Sequence, residues 1–171
     1  ISYSHAAVRR LPAEVILDLQ SDVLAKPAKF GGFDPGLRAI QIPGVERVRA
    51  KDGNAEPGDR FLKTFGRPER IMACDCERSS ETTLKQALSL LGSGLHERLA
   101  EPDSWIAQMA AASHSDSELV DSLYWKALSR PPAEAELEAA VTLLRQAKSA
   151  EDRFAAVQDI AWALLNAKEF L

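Results

Sequence analysis

Phe154-Ala155-Ala156-Val157-Gln158-Asp159-Ile160-Ala161-Trp162-Ala163-Leu164-Leu165 is the stretch that decides the fold class. The spacing predicts a helix over residues 152–169, apolar nearly all round through Phe154, Val157, Ile160, Trp162, Leu164 and Leu165. A helix with almost no polar face has to be surrounded, so it belongs in the middle of a bundle. Just upstream, Arg130-Pro131-Pro132 forces a corner, and a further helix runs from 133 to about Lys148. Before the corner, Ser115-x-x-Glu118 is a capping box for a helix ending near Ser129. Its buried face is Leu119, Val120, Leu123, Tyr124, Ala127 and Leu128. Helices over about 117–129, 133–148 and 152–169 with short connections are expected to pack as a compact unit of antiparallel neighbours. Shorter helices precede them at Leu95–Ala100 and Trp105–Ala112. Ser80 is the expected cap of another, running to Leu91 with the stripe Leu84, Ala87, Leu88 and Leu91.

Upstream of Ser80 the texture changes. Pro12 to Ala25 reads as one helix, with Val15, Ile16, Leu19 and Val23 at helical spacing. Lys26-Pro27, Gly31-Gly32, Asp34-Pro35-Gly36 and Pro43-Gly44 then interrupt any regular element. Residues 38–42 read as a short extended stretch, 46–58 as an exposed loop, and Arg60–Phe65 as a turn of helix. The expected fold is therefore all-α: a multi-helix bundle over residues 80–171 and an irregular, loop-rich N-terminal part over residues 1–79. Together they form one domain.

Composition agrees. The 171 residues are 46% hydrophobic and 27% charged, the balance of a globular protein. Aromatics are only 6%, so Ala and Leu must fill the core, which favours packed helices over a β-sandwich. No apolar run approaches the ~20 residues of a membrane span. The net charge of -4 gives no reason to expect nucleic acid as a partner. It divides as +2 over residues 1–79 and -6 over 80–171. Because the chain starts at Ile1-Ser2-Tyr3 and stops at Phe170-Leu171 directly after an apolar helix, it reads as an excised piece of a longer protein.

Several unusual strings occur in order: Arg9-Arg10-Leu11-Pro12-Ala13-Glu14, residues 61–70 (FLKTFGRPER), residues 74–81 (CDCERSSE) and residues 83–88 (TLKQAL). Leu123-Tyr124, residues 127–132 (ALSRPP), residues 160–166 (IAWALLN) and Lys168-Glu169-Phe170 follow. Together they resemble the domain of unknown function 1553, the C-terminal domain of large planctomycete-type cytochrome c multidomain proteins. The resemblance implies an exported parent, an envelope or periplasm-like compartment, and partners that are other domains of the same chain. It implies no established activity. A c-type haem belongs elsewhere in such a parent and no cofactor is expected here, because Cys-x-x-Cys-His is absent. The family often carries Thr after the Pro-Pro corner. Ala133 stands there instead, giving up roughly 1 kcal/mol of helix capping.

The candidate cluster is Arg67, Arg70, Cys74, Cys76, Arg78 and Asp159. Cys74 and Cys76 offer three readings: a packed structural pair, a redox couple, or half of a metal site that lacks its other ligands. A bridge between residues two apart is strained, so the thiols are expected to be unbonded to each other. His5, His96 and His114 are scattered and not at paired spacing. Arg67, Arg70 and Arg78 either clamp an anion or form salt bridges with Glu69, Asp75, Glu77 and Glu81. Asp159, on the apolar helix, is either a perturbed acid or a buried anchor, and pairing with Arg78 is the economical expectation. Trp105, Trp125 and Trp162 make a weak sugar platform, with Trp105 expected to be the exposed one. No catalytic signature such as Gly-x-Ser-x-Gly and no Gly-rich phosphate loop is present, so no catalytic residue is assigned. The preferred expectation is a non-catalytic structural or interaction module of an exported cytochrome c-like protein. The alternatives are part of the active site of an envelope enzyme acting on a polymer or anionic substrate, and a thiol redox accessory to a haem module.

Overall fold

The computed structural model describes residues 10–43, 55–67, 83–91, 93–112 and 115–171. Helix α1 spans Ala13–Leu24. Pro12 precedes it, and Ala25 ends it in the left-handed region (φ 51°). The Ala25 and Lys26 amides turn back to the carbonyls of Asp22 (3.2 Å) and Ser21 (3.0 Å), the pair of bonds of a Schellman end.

The stretch 38–42, expected to be extended, is instead a 3-10 turn at Ala39–Gln41. The reason lies in another element. The Asp18 carboxylate accepts the amides of Ala39 (2.7 Å) and Ile40 (3.1 Å), capping the turn from across the fold. Helix α2, Pro57–Thr64, begins before the expected Arg60 because Pro57 stands at its first position, so the loop reading of 46–58 fails at Pro57 and Gly58.

Helix α3, Leu84–Leu91, begins at Leu84 and not after Ser80. The Thr83 hydroxyl accepts the Gln86 amide (3.3 Å), while the Gln86 carbonyl oxygen accepts the Thr83 amide (3.1 Å), a reciprocal capping box. Three members of the expected stripe are turned outward: Ala87 is exposed, Leu84 is 76% and Leu88 59% exposed. Gln86 faces inward instead, accepting from Arg10 and donating to the Thr64 carbonyl (3.1 Å).

Helices α4 (Ser93–Leu99), α5 (Trp105–Ala111), α6 (Asp116–Leu128), α7 (Glu134–Arg145) and α8 (Ala150–Leu165) follow. Ser115 and Glu118 form the expected capping box of α6, and Ser149 and Asp152 form another for α8. Helix α7 stops short of Lys148, and α8 stops short of Glu169, with Nδ2 of Asn166 donating to the Trp162 carbonyl at 2.8 Å.

Helix α8 packs against α4, α5, α6 and α7, the central place its composition required, and α6, α7 and α8 touch pairwise. Its one exposed stripe is Glu151, Ala155, Asp159 and Ala163, one residue per turn. The bundle core holds Leu99, Ile106, Leu119, Val120, Leu123, Leu144, Val157 and Leu165, all but fully buried. A second core holds Ile16, Leu17, Phe30, Ala39, Leu62 and Phe65. Helix α1 joins the two, because Val23 and Leu24 at its far end lie in the bundle core. Leu171 packs against both. The fold is all-α with a loop-rich N-terminal region, and no strand occurs among the described residues. No helix among them is long and apolar enough to cross a membrane.

Candidate functional site

Polar groups buried in an otherwise apolar helix mark where to look, and α1 has three carboxylates in line. Glu14, Asp18 and Asp22 recur every fourth residue, so they lie above one another on one face. Glu14 and Asp18 are buried, where an unpaired charge would be costly. Arg67, just past α2, approaches Glu14 (Nε to Oε1, 3.6 Å) and donates to the Ile42 carbonyl (2.6 Å). Arg38 holds Asp22 with two bonds (2.9 and 2.8 Å) and reaches toward Asp18 (3.7 Å). Exposed as it is, the pair raises the Arg38 pKa, through the hydrogen bond to Asp22 first.

Arg98, from α4, meets the C-terminal end of α1. It donates to the Lys26 carbonyl (2.8 Å) and to Oγ of Ser21 (3.1 Å). A cation is favoured where helix carbonyls end unpaired. Both acceptors are neutral, so burial dominates and lowers the Arg98 pKa to about 10. The side chain is still charged at neutral pH.

Beside this end of α1 lies a cavity of about 250 Å³, lined by Asp18, Ser21, Asp22, Lys26, Leu37 and Arg38 among others. Its polar walls are bonded within the protein. Asp18 and Asp22 are held as described, and Ser21 donates to the Leu17 carbonyl (2.8 Å). Lys26 pairs with Asp103 (2.9 Å) and with Glu101, and its hydrogen bond draws the Asp103 pKa down. A cleft with such walls contains acids and bases, but each is already neutralised by a neighbour. Among the described residues, no group of three or more His, Cys, Asp or Glu side chains is placed to hold a metal ion.

A second charged cluster fastens the corner after α6. Arg130 donates to both oxygens of Glu136 (2.8 and 3.0 Å) and both of Glu169 (2.8 Å each), with its guanidinium 5.5 Å from the centre of the Tyr124 ring. The Arg130 hydrogen bond is the main reason that Glu136 titrates at about 2 and that Glu169 is also drawn down. Tyr124 moves upward, chiefly through burial.

Of the candidate cluster, Arg67 and Asp159 are described, and they do different things. Arg67 is a half-buried tie between the end of α2 and α1. Asp159 is exposed on the outer stripe of α8, which corrects its reading as a buried anchor. The register of α8 turns Gln158 inward instead, toward the Leu99 carbonyl (3.4 Å). Two alanines in the outer stripe had hidden it. Arg70, Cys74, Cys76 and Arg78 lie outside the described residues, and with them the Arg78–Asp159 pair and the state of the thiols. His5 and His114 do too, while His96 is exposed on α4. Trp105, expected to be exposed, is half-buried against the bundle core with Lys126 over its ring (4.3 Å), and Trp125 is the exposed one. The carboxylate line of α1 was missed, although Glu-x-x-x-Asp-x-x-x-Asp within a recognised helix signals it.

The family described as PSD1, a protein of unknown function (DUF1553), matches over residues 2–144, and the chain belongs to that family. No curated protein and no solved structure matches it.

Proposed function

We propose that this domain is a non-catalytic structural and interaction module of an exported, multidomain cytochrome c-like protein, and that its partners are other domains of the same parent chain. One observation carries the reading: five arginines among the described residues are spent on internal ties. Arg38, Arg67 and Arg98 bind α1 to what surrounds it, Arg130 binds the α6–α7 corner to residue 169, and Arg153 binds α8 to Asp116 (2.7 Å). Groups bonded in this way are not left over for a substrate. The resemblance to C-terminal domains of c-type cytochrome parents supports the export, the envelope location and the haem elsewhere in the chain. The outward leucines of α3 supply an apolar face for a neighbouring domain.

The test is hydrogen exchange on the full-length parent and on this domain alone. The expected result is that amides of α3 exchange more slowly in the parent, and that Leu84→Glu with Leu88→Glu removes the difference. Equal exchange in both would sink the interaction reading. Loss of a parent activity on Arg38→Ala at unchanged stability would favour the enzyme reading instead.

A further inference from the structure

We propose that residues 166–171 form a clasp that locks the N-terminal end of α1 onto the helical bundle. Opening the clasp loosens that end alone.

The segment is not a continuation of α8. After Asn166 the chain closes into turns, with the Phe170 amide bonded to the Ala167 carbonyl (3.0 Å) and the Leu171 amide to the same carbonyl (3.2 Å). These turns aim three side chains at three targets. Glu169 points outward to Arg130, which Glu136 holds from the other side. Phe170 is 5% exposed in the bundle core. Leu171 touches both cores, and its carbonyl accepts the Leu11 amide at 3.1 Å. Leu11 stands immediately before Pro12, so this bond holds the chain at the point where α1 starts.

The two ends of α1 are therefore fastened differently. The far end has Val23 and Leu24 in the bundle core, and Arg98 on its closing turn. At the near end, Leu171 is the bundle-side partner of Leu11. The Glu169–Arg130 pair at the surface, the Phe170 side chain and the Leu171 carbonyl hold that clasp shut, and residues 169–171 lie outside any helix. An event that competes for Glu169 frees the start of α1 and leaves the apolar contacts of the bundle in place.

The test is residue-resolved native-state hydrogen exchange on the whole chain, comparing the parent sequence with Phe170→Ala and with Glu169→Gln. The reporters are the Leu11 amide, bonded to Leu171, and the Ile16 amide, bonded to the Pro12 carbonyl at 3.0 Å. Phe170→Ala removes a buried aromatic from the bundle core, so it is expected to speed exchange in α6 as well, with the larger increase at Leu11. Glu169→Gln keeps the shape and removes the charge. It is expected to raise exchange at Leu11 by about threefold, so the test stands even if Phe170→Ala fails to fold. Unchanged exchange at Leu11 in Glu169→Gln overturns the proposal. So does an increase that is uniform along α1 and α6, which is global destabilisation.

Discussion

At the scale of single residues, side-chain chemistry explains which signals could be read and which could not. Ala133 begins α7 with no side chain to cap it, and its own amide is covered only by the Glu136 carboxylate at 2.7 Å. Its backbone (φ -68°, ψ 159°) suits a hydroxyl residue. Ala133→Thr is therefore expected to stabilise the domain by about 1 kcal/mol in urea denaturation. Arg130 and its carboxylates set an acid limit. The Glu136 pKa in the folded protein, about 2, lies below its ordinary value of 4.5. Its contribution to stability is thus complete above that ordinary value and is lost as the pH falls toward about 2. The pair is open to solvent, so the contribution is screened. The melting temperature of Glu136→Gln is expected to lie below that of the parent sequence at about pH 6, and the gap to close near about pH 2. A gap independent of pH would show that the loss is one of packing.

At the scale of elements, legibility followed periodicity. Helices α1, α6, α7 and α8 were readable because each has local signals: Pro12, the Ser115 cap, the Pro-Pro corner, and the apolar spacing of α8. The 3-10 turn at Ala39–Gln41 was not, because its cap is Asp18, distant in sequence. Helix α3 misled in a different way. Leu84 and Leu88 make a proper apolar stripe, but Gln86 has better partners inside, in Arg10 and the Thr64 carbonyl, and so sets the rotation of the helix. If so, Leu84→Gln with Leu88→Gln changes the stability of the isolated domain by no more than about 0.5 kcal/mol. Leu99→Ala, fully buried in the bundle core, is expected to cost about 2–5 kcal/mol in the same denaturation experiment. A large loss from the α3 pair would mean that its leucines are covered within this chain.

At the scale of the whole molecule, two apolar cores are joined by one helix that belongs to both, and charged ties fix how that helix sits. Apolar burial is non-directional and would tolerate several orientations of α1. Glu14 and Asp18, both buried, remove that freedom, because each must meet its own partner: Arg67 from beyond α2 for Glu14, and the Ala39 and Ile40 amides for Asp18. This division of labour, with area for stability and buried charge for placement, supports the proposed reading of Arg67 as scaffold. The most direct test is a double-mutant cycle on Glu14 and Arg67, read by urea denaturation of the whole chain. The expected result is that Arg67→Met alone costs about 3–5 kcal/mol, while Glu14→Gln with Arg67→Met costs clearly less than the sum of the two single changes. An Arg67→Met protein with an unchanged denaturation midpoint would contradict the scaffold reading and return this arginine to the search for a ligand.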